Sequence, residues 1–126
     1  MPLQIINSFA TWILKKRIHQ MELFLKYPHE VQEELLFSLI KSSENTQIGK
    51  KYDFSSMKSY TTFSERIPVS SYEELEPLIE KTRQGEQNVF WHSNIKWFAK
   101  SSGTTNAKSK FIPVSSEALE NCHYKA

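Results

Sequence analysis

Most of the groups in this chain that could do chemistry lie in one short segment, Lys100-Ser101-Ser102-Gly103-Thr104-Thr105-Asn106-Ala107-Lys108-Ser109-Lys110. Four hydroxyls, on Ser101, Ser102, Thr104 and Thr105, surround a single glycine, with lysines at 100, 108 and 110. A polyphosphate is held by inward-facing backbone N–H groups, small hydroxyl donors and an ammonium that offsets its charge. Gly103 permits a positive φ and a close approach of backbone to ligand. The Walker arrangement (Gly, four residues, then Gly-Lys-Ser/Thr) is absent, so this is not a loop of that NTPase class. Composition alone leaves a second reading open: a hydroxyl-rich hairpin loop with solvated lysines and no ligand.

Other candidates carry less. His19, His29, His92 and His123 include no pair at the i, i+4 spacing of a helical metal site, so no metal centre is expected. Cys122 is the single cysteine, which excludes an intramolecular disulfide. Next to His123 on a helix its side chain points elsewhere, and a buried structural thiol is the expectation. Glu73, Glu74 and Glu76 read as favourable charge at a helix start rather than as paired catalytic carboxylates. Trp91, Trp97 and Phe98 offer a stacking surface for a base, but read better as packing. Lys50-Lys51 reads as a solvated loop.

The elements that must position the loop can be read from periodicity and punctuation. Ile6, Phe9, Ile13, Ile18, Met21 and Phe24 follow a helical period, with Lys15, Lys16, Arg17 and Lys26 opposite. Pro28 suits the first position of a second helix, from about His29 to Ile40, packed on the first as a hairpin or angled pair. Ser42 through Phe54 reads as loop, and Ser55–Ser64 as a short helix or turn. Phe63–Val69 is expected to be extended. Ser71 and Glu74 fit a capping box, which opens a helix. Pro77 is expected to break it after one turn, with a second short helix from Pro77 to Arg83 stopped by Gly85. Ile95–Ala99 and Phe111–Val114 read as strands flanking the loop. Ser115 or Ser116 caps a final helix.

The chain has 126 residues and a net charge of +2, with 39% hydrophobic, 13% aromatic and 24% charged residues. That is the composition of one folded domain, with aromatic material for a core. The mild positive charge is interspersed with acid and does not point to nucleic acid. No run of about 18 apolar residues exists, and the start does not read as a signal peptide, so no membrane partner and a cytoplasmic location are expected. The last helix has barely begun its apolar pattern at the chain end, which reads as a fragment of a longer protein.

Ser101-Ser102-Gly103-Thr104-Thr105, followed by Lys110-Phe111-Ile112-Pro113, resembles the first nucleotide motif of the Gretchen Hagen three family. These are acyl acid amido synthetases of the adenylate-forming superfamily. Thr46-Gln47-Ile48-Gly49-Lys50-Lys51-Tyr52 resembles the family's threonine, glycine and tyrosine segment. The stretch with Ile67-Pro68-Val69, Tyr72-Glu73 and Glu76-Pro77-Leu78-Ile79 resembles the next part. Trp97-Phe98-Ala99-Lys100 and Cys122-His123-Tyr124-Lys125 resemble the bacterial branch more than the plant one. The similarity runs in order from about residue 28 to 126. It departs at Asn106 and Ala107, where many relatives carry glycine, and in length, since family members are several times longer.

The resemblance implies an α/β fold: an N-terminal helical region leading into the first strands of an adenylate-forming domain, truncated here. Residues 1–126 would be the N-terminal part of one larger domain, helical over 1–45 and mixed α/β over 46–126. It implies ATP and magnesium as cofactors, and a small carboxylic acid and an amino acid as substrates. The acid is adenylated with release of pyrophosphate, and an amine then displaces AMP to form an amide. Ser101, Ser102, Gly103, Thr104 and Thr105 would bind the β- and γ-phosphates. Lys110 would compensate charge, with Lys108 a weaker candidate. No catalytic residue is assigned within the chain, and magnesium's protein ligands are expected beyond residue 126. Two rivals remain: a non-catalytic helical interaction module or relic, and a family enzyme that makes a thioester or only an adenylate.

Overall fold

The computed structural model describes residues 2–102 and 108–123. It is a mostly helical region followed by two antiparallel strands, in two compact units, residues 1–37 and 38–126. In the first unit α1 spans Pro2–Lys26, and α2, Pro28–Ser43, begins there. Pro28 opens α2 as its missing N–H allows. Of the two packings expected, hairpin or angled pair, the hairpin does not form. Tyr27 N–H donates to the Leu23 carbonyl at 2.8 Å, and the Tyr27 carbonyl accepts from Val31 N–H at 3.1 Å. Helical bonding therefore runs through the junction and leaves no room for a reversal. Trp12, Leu14, Ile18, Met21, Phe24 and Leu25 are all exposed on α1.

The second unit holds the buried core, with Ile40, Met57, Ile79 and Val89 almost without exposure. Its centre is a helix where the sequence reads as loop. α3, Gln47–Lys51, has only five residues and so no apolar period to betray it. Thr46, fully buried, caps it. The Thr46 hydroxyl accepts from Gly49 N–H at 3.0 Å and donates to the Ser43 carbonyl at 2.7 Å. A helix start leaves N–H groups without intrahelical partners. Here Gln47 N–H donates to the Asn88 carbonyl at 2.8 Å and Ile48 N–H to the Val89 carbonyl at 3.1 Å. Asn88 adopts φ 57°, the left-handed conformation that asparagine tolerates. Gly49 is required by contact, not by φ. A Cβ there would lie 2.0 Å from the Ser43 carbonyl oxygen and 2.8 Å from that of Glu44.

After α3 the chain turns at Asp53, also left-handed at φ 50°. Ser55 and Ser56 hydroxyls donate to the Asp53 carboxylate. Arg66 donates to the Tyr52 carbonyl at 3.3 Å, the Asp53 carbonyl at 2.9 Å and Ser56 Oγ at 2.7 Å. Arg66 ends α4, Tyr60–Arg66, which Ser59 caps. The extended piece expected over Phe63–Val69 is thus helical through Arg66. Ser59 and the Arg66 clamp favour the helix there.

α5 is one continuous helix, Tyr72–Arg83, with Pro77 inside it. The expected break at Pro77 does not occur. Pro77 forfeits one hydrogen bond to the carbonyl four residues back. The capping box of Ser71 and Glu74, burial of Ile79 and Thr82, and a C-terminal turn at Gly85 (φ 100°) hold the helix on either side. Gly85 N–H donates to the Thr82 carbonyl and Glu86 N–H to the Lys81 carbonyl, closing the end as expected. β1, Trp97–Lys100, pairs antiparallel with β2, Phe111–Val114, in the register Trp97↔Val114 to Lys100↔Phe111. β1 starts two residues later than composition suggests, because pairing with β2 sets its limits. Ser115 caps α6, Ser116–Ala118, and wider helical turns continue over Leu119–His123.

Two substitutions test the α3 knot by urea denaturation of the chain. Gly49→Ala forces backbone apart and is expected to cost about 1–3 kcal/mol. Thr46→Val removes the cap and is expected to cost about 1 kcal/mol or more, with Thr46→Ser recovering most of it. Unchanged midpoints in both would show that the close approach at α3 carries no stability.

Candidate functional site

The hydroxyl-rich segment connects β1 to β2. Its two ends are fixed by the chain itself. Ser101 N–H donates to the Lys110 carbonyl at 2.9 Å, and Lys110 N–H donates to Ser101 Oγ at 3.0 Å. Ser101 thus closes the mouth of the loop with its side chain, as an acceptor. Ser102 is exposed beside it. Gly103, Thr104, Thr105, Asn106 and Ala107 lie outside the described residues, so the inner part of the expected phosphate site is not placed. The side chain of Cys122, expected to be buried, lies outside them too.

Lys110 is placed, and it is not alone. Its ammonium lies 3.4 Å from Glu73 Oε1, at the start of α5, and 5.0 Å from the centre of the Tyr72 ring. The Tyr72 hydroxyl accepts from Phe111 N–H at 2.9 Å and reaches the Phe111 carbonyl at 3.4 Å. These bonds join residues 39 apart. One side chain of α5 therefore fixes the backbone immediately after Lys110. Arg83, at the other end of α5, stacks 4.0 Å above the Phe111 ring. Between α5 and β2 lies a cavity of about 290 Å³ lined by Tyr72, Leu75, Ile79, Phe90, Phe111 and Pro113. Periodicity gives no sign of these contacts, because Tyr72 stands at the first residue of its helix. The Tyr72-Glu73 pair stands out only in the family resemblance.

Glu73 keeps its charge. Its own backbone N–H at the helix start holds its pKa below the ordinary 4.5, and the Lys110 ammonium lowers it further. The helix-start reading of Glu73 therefore holds, with Lys110 added. Asp53 is lowered from 3.8 by the Ser56 and Ser55 hydroxyls, then by Arg66.

On the far side of the hairpin, Glu117 gathers a second polar group. Ser93 Oγ donates to it at 2.9 Å, and His92 Nε2 stands 3.6 Å away. Its pKa is lowered by its own backbone N–H, then by the Ser93 and Ser115 hydroxyls and the Trp91 indole. That indole N–H is sealed from solvent without a hydrogen bond of ordinary geometry, yet it lies near enough to favour the carboxylate. Trp91 packs as expected. Trp97 does not: it is 49% exposed and, with Phe98, Val114 and Leu119, lines an open groove of about 570 Å³. Among the described residues, no three His, Cys, Asp or Glu side chains stand together as a metal site. Among them no helix is long and apolar enough to cross a membrane.

A mostly helical region leads into a hairpin whose connecting segment is rich in hydroxyls and lysines. Residues 17–126 match the GH3 family N-terminal domain, and the chain belongs to the GH3 family, the Gretchen Hagen three family named above. It is 30% identical to indole-3-acetic acid-amido synthetase GH3.2 of Arabidopsis thaliana over 106 residues, 83% of this chain and 19% of that protein. It is 27% identical to jasmonoyl--L-amino acid synthetase JAR4 of Nicotiana attenuata over 105 residues, 82% of this chain and 18% of that protein. A rice relative, probable indole-3-acetic acid-amido synthetase GH3.2, is 28% identical over 91 residues, 71% of this chain and 15% of that protein. The chain thus spans less than a fifth of the length of these curated relatives.

Stability should fall on acidification. A carboxylate whose pKa is depressed by folding stabilises the fold above its unfolded pKa, and this is lost as pH falls through the folded value. For Glu73 and Glu117 the loss begins near 4.5, and for Asp53 near 3.8. The urea midpoint of the chain is therefore expected to drop below that range, and Asp53→Asn to flatten part of the drop. A midpoint flat down to about pH 3 would contradict these assignments. Separately, Tyr72→Phe is expected to cost about 1 kcal/mol by leaving Phe111 N–H without its partner. No loss would mean that water replaces the hydroxyl there.

Proposed function

We propose that this chain supplies the first nucleotide-phosphate loop of an ATP-dependent acyl acid amido synthetase. It would be the N-terminal part of one larger adenylate-forming domain. Ser101, Ser102, Gly103, Thr104, Thr105 and Lys110 are its phosphate-binding residues. The observation that carries the reading is the hairpin mouth. Ser101 and Lys110 are locked to each other there, with an ammonium beside them, in a chain of this family.

The residues present fit a polyphosphate. The hairpin bonds hold Ser101 Oγ and the Lys110 backbone together, so the turn between them starts and ends at fixed points. Hydroxyl protons and backbone N–H groups of 101–105 would donate to phosphate oxygens, as anion-binding turns do. Lys110, on a flexible stem, would bring its point charge to the same oxygens. ATP and magnesium, when bound, make a carboxylate reactive by adenylation, after which an amino acid amine forms the amide. Magnesium would be held by the phosphates and by carboxylates outside the described residues. The acid and amine would be small molecules recognised elsewhere in the domain. The relatives, an indole-3-acetic acid-amido synthetase and a jasmonoyl--L-amino acid synthetase, support that substrate class. The forms around Trp97-Phe98-Ala99-Lys100 support placing the chain in the bacterial branch, and a cytoplasmic location fits a nucleotide-dependent synthetase.

The test is pyrophosphate exchange by the full-length protein with ATP, magnesium and a panel of carboxylic acids. Acid-dependent exchange is expected, reduced roughly ten- to hundredfold in Lys110→Ala and in Thr104→Ala. The Lys110 ion pair is solvent-exposed, so Lys110→Ala should leave the thermal midpoint nearly unchanged. No exchange with any acid, together with no ATP binding, would contradict the reading.

A further inference from the structure

The Lys110 ammonium already has an anion. Glu73 Oε1 stands 3.4 Å from it, and the Tyr72 ring lies beneath it. The backbone at Lys110 cannot shift to release it. Lys110 N–H and C=O are both bonded to Ser101, and Phe111, the next residue, is bonded at both N–H and C=O by the Tyr72 hydroxyl. Only the side chain of Lys110 is free to change partners. We propose that Glu73 is an internal counter-ion of Lys110, displaced when a polyphosphate enters the loop, and that it thereby sets the loop's affinity. The proposal rests on the phosphate reading of the loop given above.

The energetics favour exchange. The pair is open to water, with Lys110 45% and Glu73 68% exposed, so it is weak and quick to break. A polyphosphate presents several negative charges against the single one of Glu73, and so draws the ammonium away from it. Glu73 itself does not follow. It sits in the first turn of α5, where the helix dipole favours its charge with or without Lys110. The carboxylate therefore remains near the loop when the ligand is bound and opposes it. Between empty and filled states Lys110 swings from one anion to another. Glu73 is a positioning residue in this account, since it meets the lysine and not the reacting atoms.

The sign of the effect separates this from a structural role. In the full-length protein, calorimetry with inorganic tripolyphosphate, and then with ATP, compares wild type, Glu73→Gln, Lys110→Ala and the double variant. Glu73→Gln is expected to bind tripolyphosphate roughly two- to fivefold more tightly than wild type. That gain should vanish in the Lys110→Ala background. A residue that merely held the loop in shape would weaken binding when changed. Equal or weaker binding by Glu73→Gln overturns the proposal. So does the same gain with and without Lys110, which would mean a general charge effect. If Lys110→Ala binds tripolyphosphate as wild type does, the phosphate reading of Lys110 fails, and the counter-ion proposal fails with it.

Discussion

Two backbone N–H groups at the start of α3 have no partner within their own helix, and they donate to the carbonyls of Asn88 and Val89. The second unit depends on this junction. It joins the end of α2 to a segment some forty residues later in the chain, and it places Val89 at the most buried point in the core. From there the path to the hairpin is short. Gln87 Oε1 accepts from Ile95 N–H at 3.0 Å, two residues before β1 begins. The junction requires Thr46 as cap and a bare Cα at Gly49, because α3 lies against the carbonyls of Ser43 and Glu44, at and just after the end of α2. A side chain at 49 would push α3 off those carbonyls and shift the donors away from Asn88 and Val89.

The hairpin is seated by a second set of bonds, from α5. Tyr72 holds the start of β2 through its hydroxyl, and Arg83 stacks on Phe111 from the helix's other end. The turn between β1 and β2 thus hangs from fixed points, while its own residues are small and polar. That division suits an anion site. On the proposed reading the scaffold would supply the rigidity, and the loop would supply donors whose side chains are too short to lose much entropy on ordering. Lys108 and Lys110 are the exceptions, and Lys110 is held by an ion pair and an aromatic face.

Local signals in the sequence are legible where they act locally. The capping box at Ser71 and Glu74, the stop at Gly85, Pro28 as a helix start and the strand Phe111–Val114 depend on near neighbours, and all are present in the structure. Features set by distant partners were not legible. α3 is five residues long and owes its place to carbonyls at 88 and 89, so no periodicity marks it. Pro77 looks like a break because its own ring clashes and its N–H is missing. What carries α5 past it is burial at Ile79 and Thr82 on the far side. The same limit applies to the candidate site. Hydroxyl spacing and family resemblance single out residues 101–105 and Lys110. That Lys110 faces Glu73 could not be inferred, because the contact exists only once α5 lies along β2.

The central claim is that a scaffold fixed in advance presents residues 101–110 to a nucleotide's phosphates. Amide hydrogen exchange on the full-length protein, with and without ATP and magnesium, tests it most directly. The account predicts new protection concentrated in 101–110 on adding nucleotide. The amides of Gln47 and Ile48 should already be protected without it and should not change. Exchange in 101–110 that is unaffected by nucleotide, with protection appearing elsewhere or nowhere, would contradict the claim.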